Sequence, residues 1–433
     1  MRFILLKPWR KYIALFIIFQ LVIVGCSSSK PEANAPEKTQ EPAEEGQTIT
    51  VTNLEPSPSN ISTGDTKSNG PKYQIQTRLT DFKLLTASTG LAWGTTRGEL
   101  RLYSTKDNGE TWTNISPSSA IQFSTNPKYG QEIYFTDADH GWIVRRSIGS
   151  DQIVILRTVN GGLTWKLSSI ANSLEIAAIH FINPKHGWIM TTAEQGSDKE
   201  TKTLFETEDG GATWVVNMKN DTLPNETKRE FVLPKEASFI GMEFSNTDRG
   251  YVTVLQDGVP KLYITNDGGI DWKEQENFFD RSKYEAQDQF KVGVISAFTK
   301  QSPNVWISVG CVRGDKTKYN GYFTKDAGES WNLVSFDLPW QTGVNESLSP
   351  VFLNENEGWS IHDTTIYHTM DQGKKWTSLS ESSTLKKIIK DYPEVVKLQF
   401  FTSKVGWLLV AKNDQKRSLL LQTTDGGMNW RVL

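Results

Sequence analysis

The sequence predicts an all-β fold, a seven-bladed β-propeller with four-stranded antiparallel blades, and three observations carry that prediction. A box of the form Thr-x-Asp-x-Gly-x-x-Trp occurs seven times, at 105–112, 158–165, 207–214, 265–272, 324–331, 369–376 and 423–430. The box tryptophans follow one another at intervals of 45 to 59 residues, a period that, with several short β-rich runs per unit, marks a propeller blade. Each box also has an upstream companion, in which an aromatic or apolar strand turns into Gly-Trp. The clearest copies are 135–142 and 181–188, with others at 353–359 and 401–407; Gly90 to Trp93, Gly250-Tyr251 and Val305-Trp306 are degenerate ones.

The tryptophan inventory closes on this plan. Seven box residues, six companions and Trp9 account for all but one of the 15 tryptophans, and the remaining one is Trp340. In the last unit, strand A is placed at 396–401, strand B at 406–410 and strand C at 418–423, with strand D after Trp430. Alternation of apolar and polar residues within such runs is that of half-buried strands. Helix is scarce; the best candidate, 383–390, ends before Pro393 and forms an excursion between the sixth and seventh units. Seven such units must close into a ring, because an open stack exposes two sheet edges and two apolar faces. The stretch 73–79 is expected to pair with the short final strand and fasten the ring.

The box is read as the tight turn between strands C and D. Its carboxylate (Asp107, Asp209, Asp267, Asp326, Asp371 and Asp425, with Asn160 as the one substitute) is short enough to accept N–H groups of its own turn. Glycine at the fifth position supplies a positive φ. The threonine hydroxyl adds local bonds, and the tryptophan packs into the seam with neighbouring strands. One carboxylate in a self-satisfied turn lacks the dense oxygen-ligand loop that calcium needs. The boxes are therefore read as structural, with no metal and no cofactor expected.

The chain begins with Arg2, Lys7, Arg10 and Lys11, then an apolar run over 13–24 that is too short to span a membrane comfortably. It ends in Gly25-Cys26 followed by three serines, which resembles a bacterial lipobox. This implies a signal peptide over 1–25, lipidation of Cys26, and a mature protein held by acyl chains on the outer side of the cell membrane. Residues 26–71 carry six of the 17 prolines and no aromatic residue, the composition of a disordered tether. The propeller occupies 72–433. With the signal removed, 43 basic face 50 acidic residues, a balance that argues against nucleic-acid binding. Cys311 is left without a disulfide partner and reads as a small buried strand residue.

The repeats are identified as Asp-box (BNR) repeats, and the resemblance covers 73–433. Such repeats occur in sialidases, xyloglucan-cleaving glycoside hydrolases, sortilin-type receptors and photosystem II stability/assembly factor-like propellers. The Gly-Trp strand combined with the box in seven similar units resembles the last of these most. That resemblance implies a propeller acting as an assembly or binding scaffold. Photosynthetic members use an arginine-rich patch; here Arg145-Arg146 is the only paired arginine, and the patch is not carried over residue by residue. The Phe/Tyr-Arg-Ile-Pro stretch of sialidases is absent, and the chain has length for one propeller where the xyloglucanases use two. No catalytic residue is assigned.

Propeller topology puts A–B and C–D turns, boxes included, on one face, and B–C loops and D–A connections on the other. The variable lengths fall on the second face, in 116–129, 219–235, 276–289 and 335–350. Candidate partner-binding residues there are Tyr129, Phe278, Phe279, Tyr284 and Trp340, with Arg145 and Arg146 from a B–C loop; Arg97, His362 and Lys412 lie on similar loops. Aromatic residues on polar loops suit protein or glycan contacts, or cap the blade ends. Arg313-Gly314-Asp315 is read as a chance match to the integrin tripeptide. The expected function is that of a monomeric, membrane-tethered, non-enzymatic scaffold binding an envelope protein. A glycan-binding protein or glycoside hydrolase of the Asp-box type is the alternative.

Overall fold

The computed structural model describes residues 77–433 apart from 118–120, 124, 148, 172–173, 195–198, 222–230, 294, 299–301 and 346, together with the backbone of Gln47–Thr50. The expected signal peptide, Cys26 and most of the tether lie outside the described residues. Seven antiparallel sheets follow one another along the chain, each built from consecutive strands A to D. Blade 1 runs from Asp81–Leu84 to Thr113–Asn114 and blade 7 from Glu394–Phe400 to Arg431–Val432. Between the last two blades lies the helix Ser383–Asp391, whose N-cap Ser382 accepts from the Leu385 N–H. It buries Leu385 and Ile389 against blade 7. The backbone of Gln47–Thr50 pairs with the outer strand of blade 2, Thr164–Ala171, as a fifth strand.

The box chemistry repeats from blade to blade. In each copy the threonine hydroxyl donates to the third-position side chain, for example Thr207 to Asp209 at 2.8 Å, and accepts from the fifth-position glycine N–H, as from Gly211 at 2.9 Å. The same carboxylate oxygen takes the N–H of the seventh residue, 2.9 Å from Thr213. Glycine at the fifth position has φ between 82° and 101°. The fourth position is also left-handed, including the non-glycine residues Asn108, Ala327 and Gln372 with φ of 56°, 56° and 67°. Each box is tied to the A–B turn of its own blade by one backbone bond, such as Gly210 N–H to the Lys185 carbonyl at 2.7 Å. That bond fixes both turns on one face.

The companion tryptophan joins neighbouring blades. Trp142, Trp188 and Trp359 donate Nε1–H to the box glycine carbonyl of the next blade, Gly210, Gly268 and Gly426, at 2.8, 3.0 and 3.0 Å. Their rings stack on the strand-A phenylalanine of that next blade, Phe181, Phe244 and Phe400, at 3.6 to 3.9 Å. The box tryptophan meets the same phenylalanine edge-on, as Trp272 meets Phe244 at 6.1 Å. Each such seam buries two indoles around one ring, a large apolar area per residue spent.

Of the stretch expected to pair with the final strand, 73–76 lie outside the described residues, and 77–79 form no strand. Arg431–Val432 pairs with strand C of its own blade, so blade 7 is completed by contiguous chain. The seam to blade 1 is made by side chains. Lys397 Nζ reaches Asp81 Oδ1 at 2.7 Å, Gln399 exchanges bonds of 2.9 and 3.1 Å with the Leu84 backbone, and Trp407 Nε1 donates to Asn108 Oδ1 at 2.9 Å. Leu79 contributes its N–H to Ser418 Oγ at 2.8 Å and its side chain to the apolar cluster of Phe82, Trp112 and Trp407. The final strand has only two residues, and among the described residues side chains hold this seam.

Candidate functional site

Blade 5 departs from the repeat. Its inner strand is split into Gln289–Val292 and Ser296–Ala297, both paired with Val305–Arg313. Strand C, Lys316–Thr324, carries two outer partners, Asn332–Ser335 at one end and Gln341–Thr342 at the other. The chain leaves the sheet between those partners, and Trp340 stands where it returns. A cleft of about 330 Å³ lies there, lined by Trp340, Tyr284, Arg313, Lys283, Lys318 and Asn320, with Cys311 also on its wall.

The cleft is held by polar contacts. Arg313 grips the buried Asp288 with two bonds, Nε to Oδ1 at 2.6 Å and Nη2 to Oδ2 at 3.0 Å, and reaches Glu285 at 3.1 Å. Its guanidinium lies 5.5 Å from the Trp340 ring centre, within cation–π range. The bonds from Arg313 hold the Asp288 carboxyl down at about 2. Burial and the bond to Asp288 push the Cys311 thiol up to about 11, so it stays protonated and unreactive at neutral pH. The Tyr284 hydroxyl meets the Tyr322 hydroxyl at 2.9 Å and accepts from Asn320 at 3.4 Å. Its ring stacks on Phe279 at 5.3 Å. The result is a rigid aromatic wall beside two lysines and an amide, suited to holding a polar group by charge and ring contact.

The candidate residues separate into three places. Tyr284 and Trp340 share the blade-5 cleft with Arg313, so the Arg-Gly-Asp arginine is committed to Asp288 and Trp340. Phe279 supports Tyr284 from behind. Phe278, 2% exposed and packed on Tyr322 and Trp331, caps the blade core and is corrected from partner contact to structure. Arg145 and Arg146 lie on blade 2, where Arg146 pairs with Glu175 and Arg145 donates to the Arg146 carbonyl at 3.2 Å. Burial lowers the Arg145 guanidinium from its usual range. His362 is buried beside Ser360, 3.0 Å away, and Gln341, and burial brings its imidazole down to about 4.

Tyr129 belongs to a third place, at the inner strands. It stacks on Tyr134 at 5.2 Å, and Lys83 Nζ lies 4.6 Å from its ring centre, with Lys397 Nζ at 5.7 Å. Tyr134 continues to His180 Nδ1 at 3.4 Å, and His180 to Glu243 Oε2 at 3.3 Å. A polar relay thus crosses the inner strands of blades 7, 1, 2, 3 and 4. Burial and the nearby Lys397 ammonium bring the Lys83 amine down to about 8, against the pull of Glu243 and Asp81. Burial raises the Tyr129 and Tyr134 phenols. Sequence reasoning missed this relay although a signal existed. Lys83, Tyr134, His180 and Glu243 each stand seven residues before a companion glycine, Gly90, Gly141, Gly187 and Gly250.

No family model and no curated protein matches the chain. Among solved structures it is similar to a prolyl endopeptidase at 10% identity and TM-score 0.50, over 82% of this chain and 49% of that one. It spans about half of that enzyme's length. It is also similar to a polysaccharide lyase of family PL25, an ulvan lyase, at 8% identity and TM-score 0.47, over 80% of this chain and 91% of that one. A GH74 enzyme of Niastella koreensis matches at 13% identity and TM-score 0.28, over 82% and 71% of the two chains. At such identities the likeness speaks to fold alone, and the seven antiparallel sheets show that fold to be a seven-bladed β-propeller.

Proposed function

We propose that this propeller is a non-enzymatic binding scaffold of the cell envelope, tethered by a lipid on Cys26, that holds a protein partner at the blade-5 cleft. One observation carries the reading: Trp340, the single tryptophan of residues 26–433 outside the repeat, lines a cleft with Arg313, Tyr284, Lys318 and Asn320. An indole, a phenol and an arginine around one recess are the residue types that dominate binding energy at protein interfaces. The carboxylates nearest these features are committed to bases, Asp288 to Arg313, Asp81 to Lys397 and Glu243 to His180. That favours recognition over acid–base hydrolysis, which asks for two carboxyls on either side of a scissile bond. The Asp-box and Gly-Trp repeats, which resemble the photosystem II assembly factor-like propellers, support the scaffold role as well.

Mild crosslinking in intact cells followed by purification tests this. The expected result is one defined protein adduct that disappears with Trp340→Ala while the variant remains folded. Hydrolysis or cleavage of any member of a glycan panel by the purified chain overturns the reading in favour of a glycan-active protein.

A further inference from the structure

We propose that blade 3 carries a divalent-metal site of the zinc class on the box face, formed by His186, Glu206 and Glu208. It is independent of the blade-5 cleft and uses none of the third-position box carboxylates. His186 closes the A–B turn of blade 3, Glu206 lies on its strand C, Glu200–Thr207, and Glu208 is the second residue of its box. One ligand atom from each lies within 4.8 Å of the other two.

Two of the three ligands are already positioned. His186 Nε2 stands 2.6 Å from Glu206 Oε1, and the imidazole packs on the Trp188 ring at 4.6 Å. Glu206 Oε2 is held by the Asn217 amide, which also donates to the Gly268 carbonyl of blade 4 at 3.1 Å. Such outer contacts fix ligand orientation before a metal arrives. Glu208 is exposed and makes no bond to another side chain among the described residues, so its carboxylate is available to complete the set. A cation entering between Nε2 and Oε1 displaces the proton shared there to solvent, and water fills the remaining positions. One imidazole nitrogen with two carboxylates suits zinc-class ions. Magnesium and calcium prefer oxygen alone. Arg157 of blade 2 donates Nη1–H to the carbonyl of Asp209, the residue after Glu208, at 3.2 Å.

The molecule contains its own control. Blade 6 places the same pair in transposed order, Glu357 on the A–B turn and His368 on strand C, 3.2 Å apart and beside Trp359. Its second Glu357 oxygen is taken by the Ser403 hydroxyl at 2.7 Å, and its box offers Met370 where blade 3 offers Glu208. Blade 6 has the pair without the third ligand.

Equilibrium dialysis of the full chain against zinc chloride tests the site by difference, since thiols contribute equally to every variant and His368→Gln measures what a histidine outside the site contributes. The expected result is that Glu208→Gln binds one zinc fewer, or binds it at least about tenfold more weakly. His186→Gln should lose the same equivalent, and His368→Gln should match wild type. Glu208 is exposed, so its replacement leaves the fold intact. Identical isotherms for wild type and Glu208→Gln overturn the proposal, as does a zinc equivalent lost with His368→Gln.

Discussion

Blades 3 and 5 are made from the same box and companion, yet they are used differently. Blade 3 has four uninterrupted strands and seals to blade 4 by stacking Trp188 on Phe244 at 3.7 Å, with a 3.0 Å bond to the Gly268 carbonyl. Blade 5 has a divided inner strand and a divided outer strand, and its companion Trp306 meets Phe352 at a steep angle of 61°. Its box is nevertheless regular: Thr324, Asp326, Gly328 and Ser330 make the same bonds as their blade-3 counterparts. The divided outer strand and the cleft lie on the face opposite the boxes; on the box face the turn between strands A and B also differs, closing from the Phe298 N–H to the Asn304 carbonyl at 3.4 Å where blade 3 closes from Ile182 to His186 at 3.1 Å. One face keeps the ring together, and the other is free to diverge.

The largest expected difference lies at the seam. Trp188→Ala removes a fully buried indole from between two blades and should cost about 3–5 kcal/mol in chemical denaturation. Trp340→Ala in blade 5 should cost less than about 1 kcal/mol, because its ring is half-exposed and no blade seam depends on it. Equal losses at the two positions would break the comparison.

At the boxes the two blades should behave alike. Asp209→Ala and Asp326→Ala each remove a carboxylate that accepts several bonds within its turn, and both should cost about 1–2 kcal/mol. Bonds from the Ser330 and Thr324 hydroxyls and the Ser330 N–H hold the Asp326 carboxyl at about 2, below its value in the unfolded chain. Its contribution is therefore complete above about pH 4 and lost as the pH falls toward 2. An acid titration of wild type against Asp326→Ala should converge in that window.

The smallest effect sharpens the contrast at a single backbone position. Ala327 holds φ 56° where blade 3 has Gly210 at φ 73°. Ala327→Gly should stabilise blade 5 by about 0.5–1 kcal/mol. Gly210→Ala should destabilise blade 3 by more than about 1 kcal/mol, since a Cβ there meets the Pro184 carbonyl at 2.8 Å.

The ring was legible because its signals are local and repeated. The box encodes a turn in eight residues, and the last unit's strands end within two residues of the expected positions, at Glu394–Phe400, Gly406–Ala411 and Ser418–Thr423. What escaped is carried by contacts between residues far apart in the chain. The Tyr129–Tyr134–His180–Glu243 relay depends on inner strands meeting around the ring, and the Lys397–Asp81 bond joins the two ends of the propeller. Trp340 stood out by failing to fit the repeat, but its partners Arg313, at the end of strand B, and Tyr284, in the connection before strand A, are ordinary residues until the fold brings them beside it. Phe278 showed the limit of reasoning from composition, because an aromatic residue on a polar connection turned inward.

The most direct test of the division between the two faces is photo-crosslinking in intact cells from one position on each. A crosslinking residue at Ser335, on the cleft wall, is compared with one at Lys106, exposed in the first box. The account predicts a single defined protein adduct from 335 and none from 106. An adduct from 106 with none from 335 would contradict it.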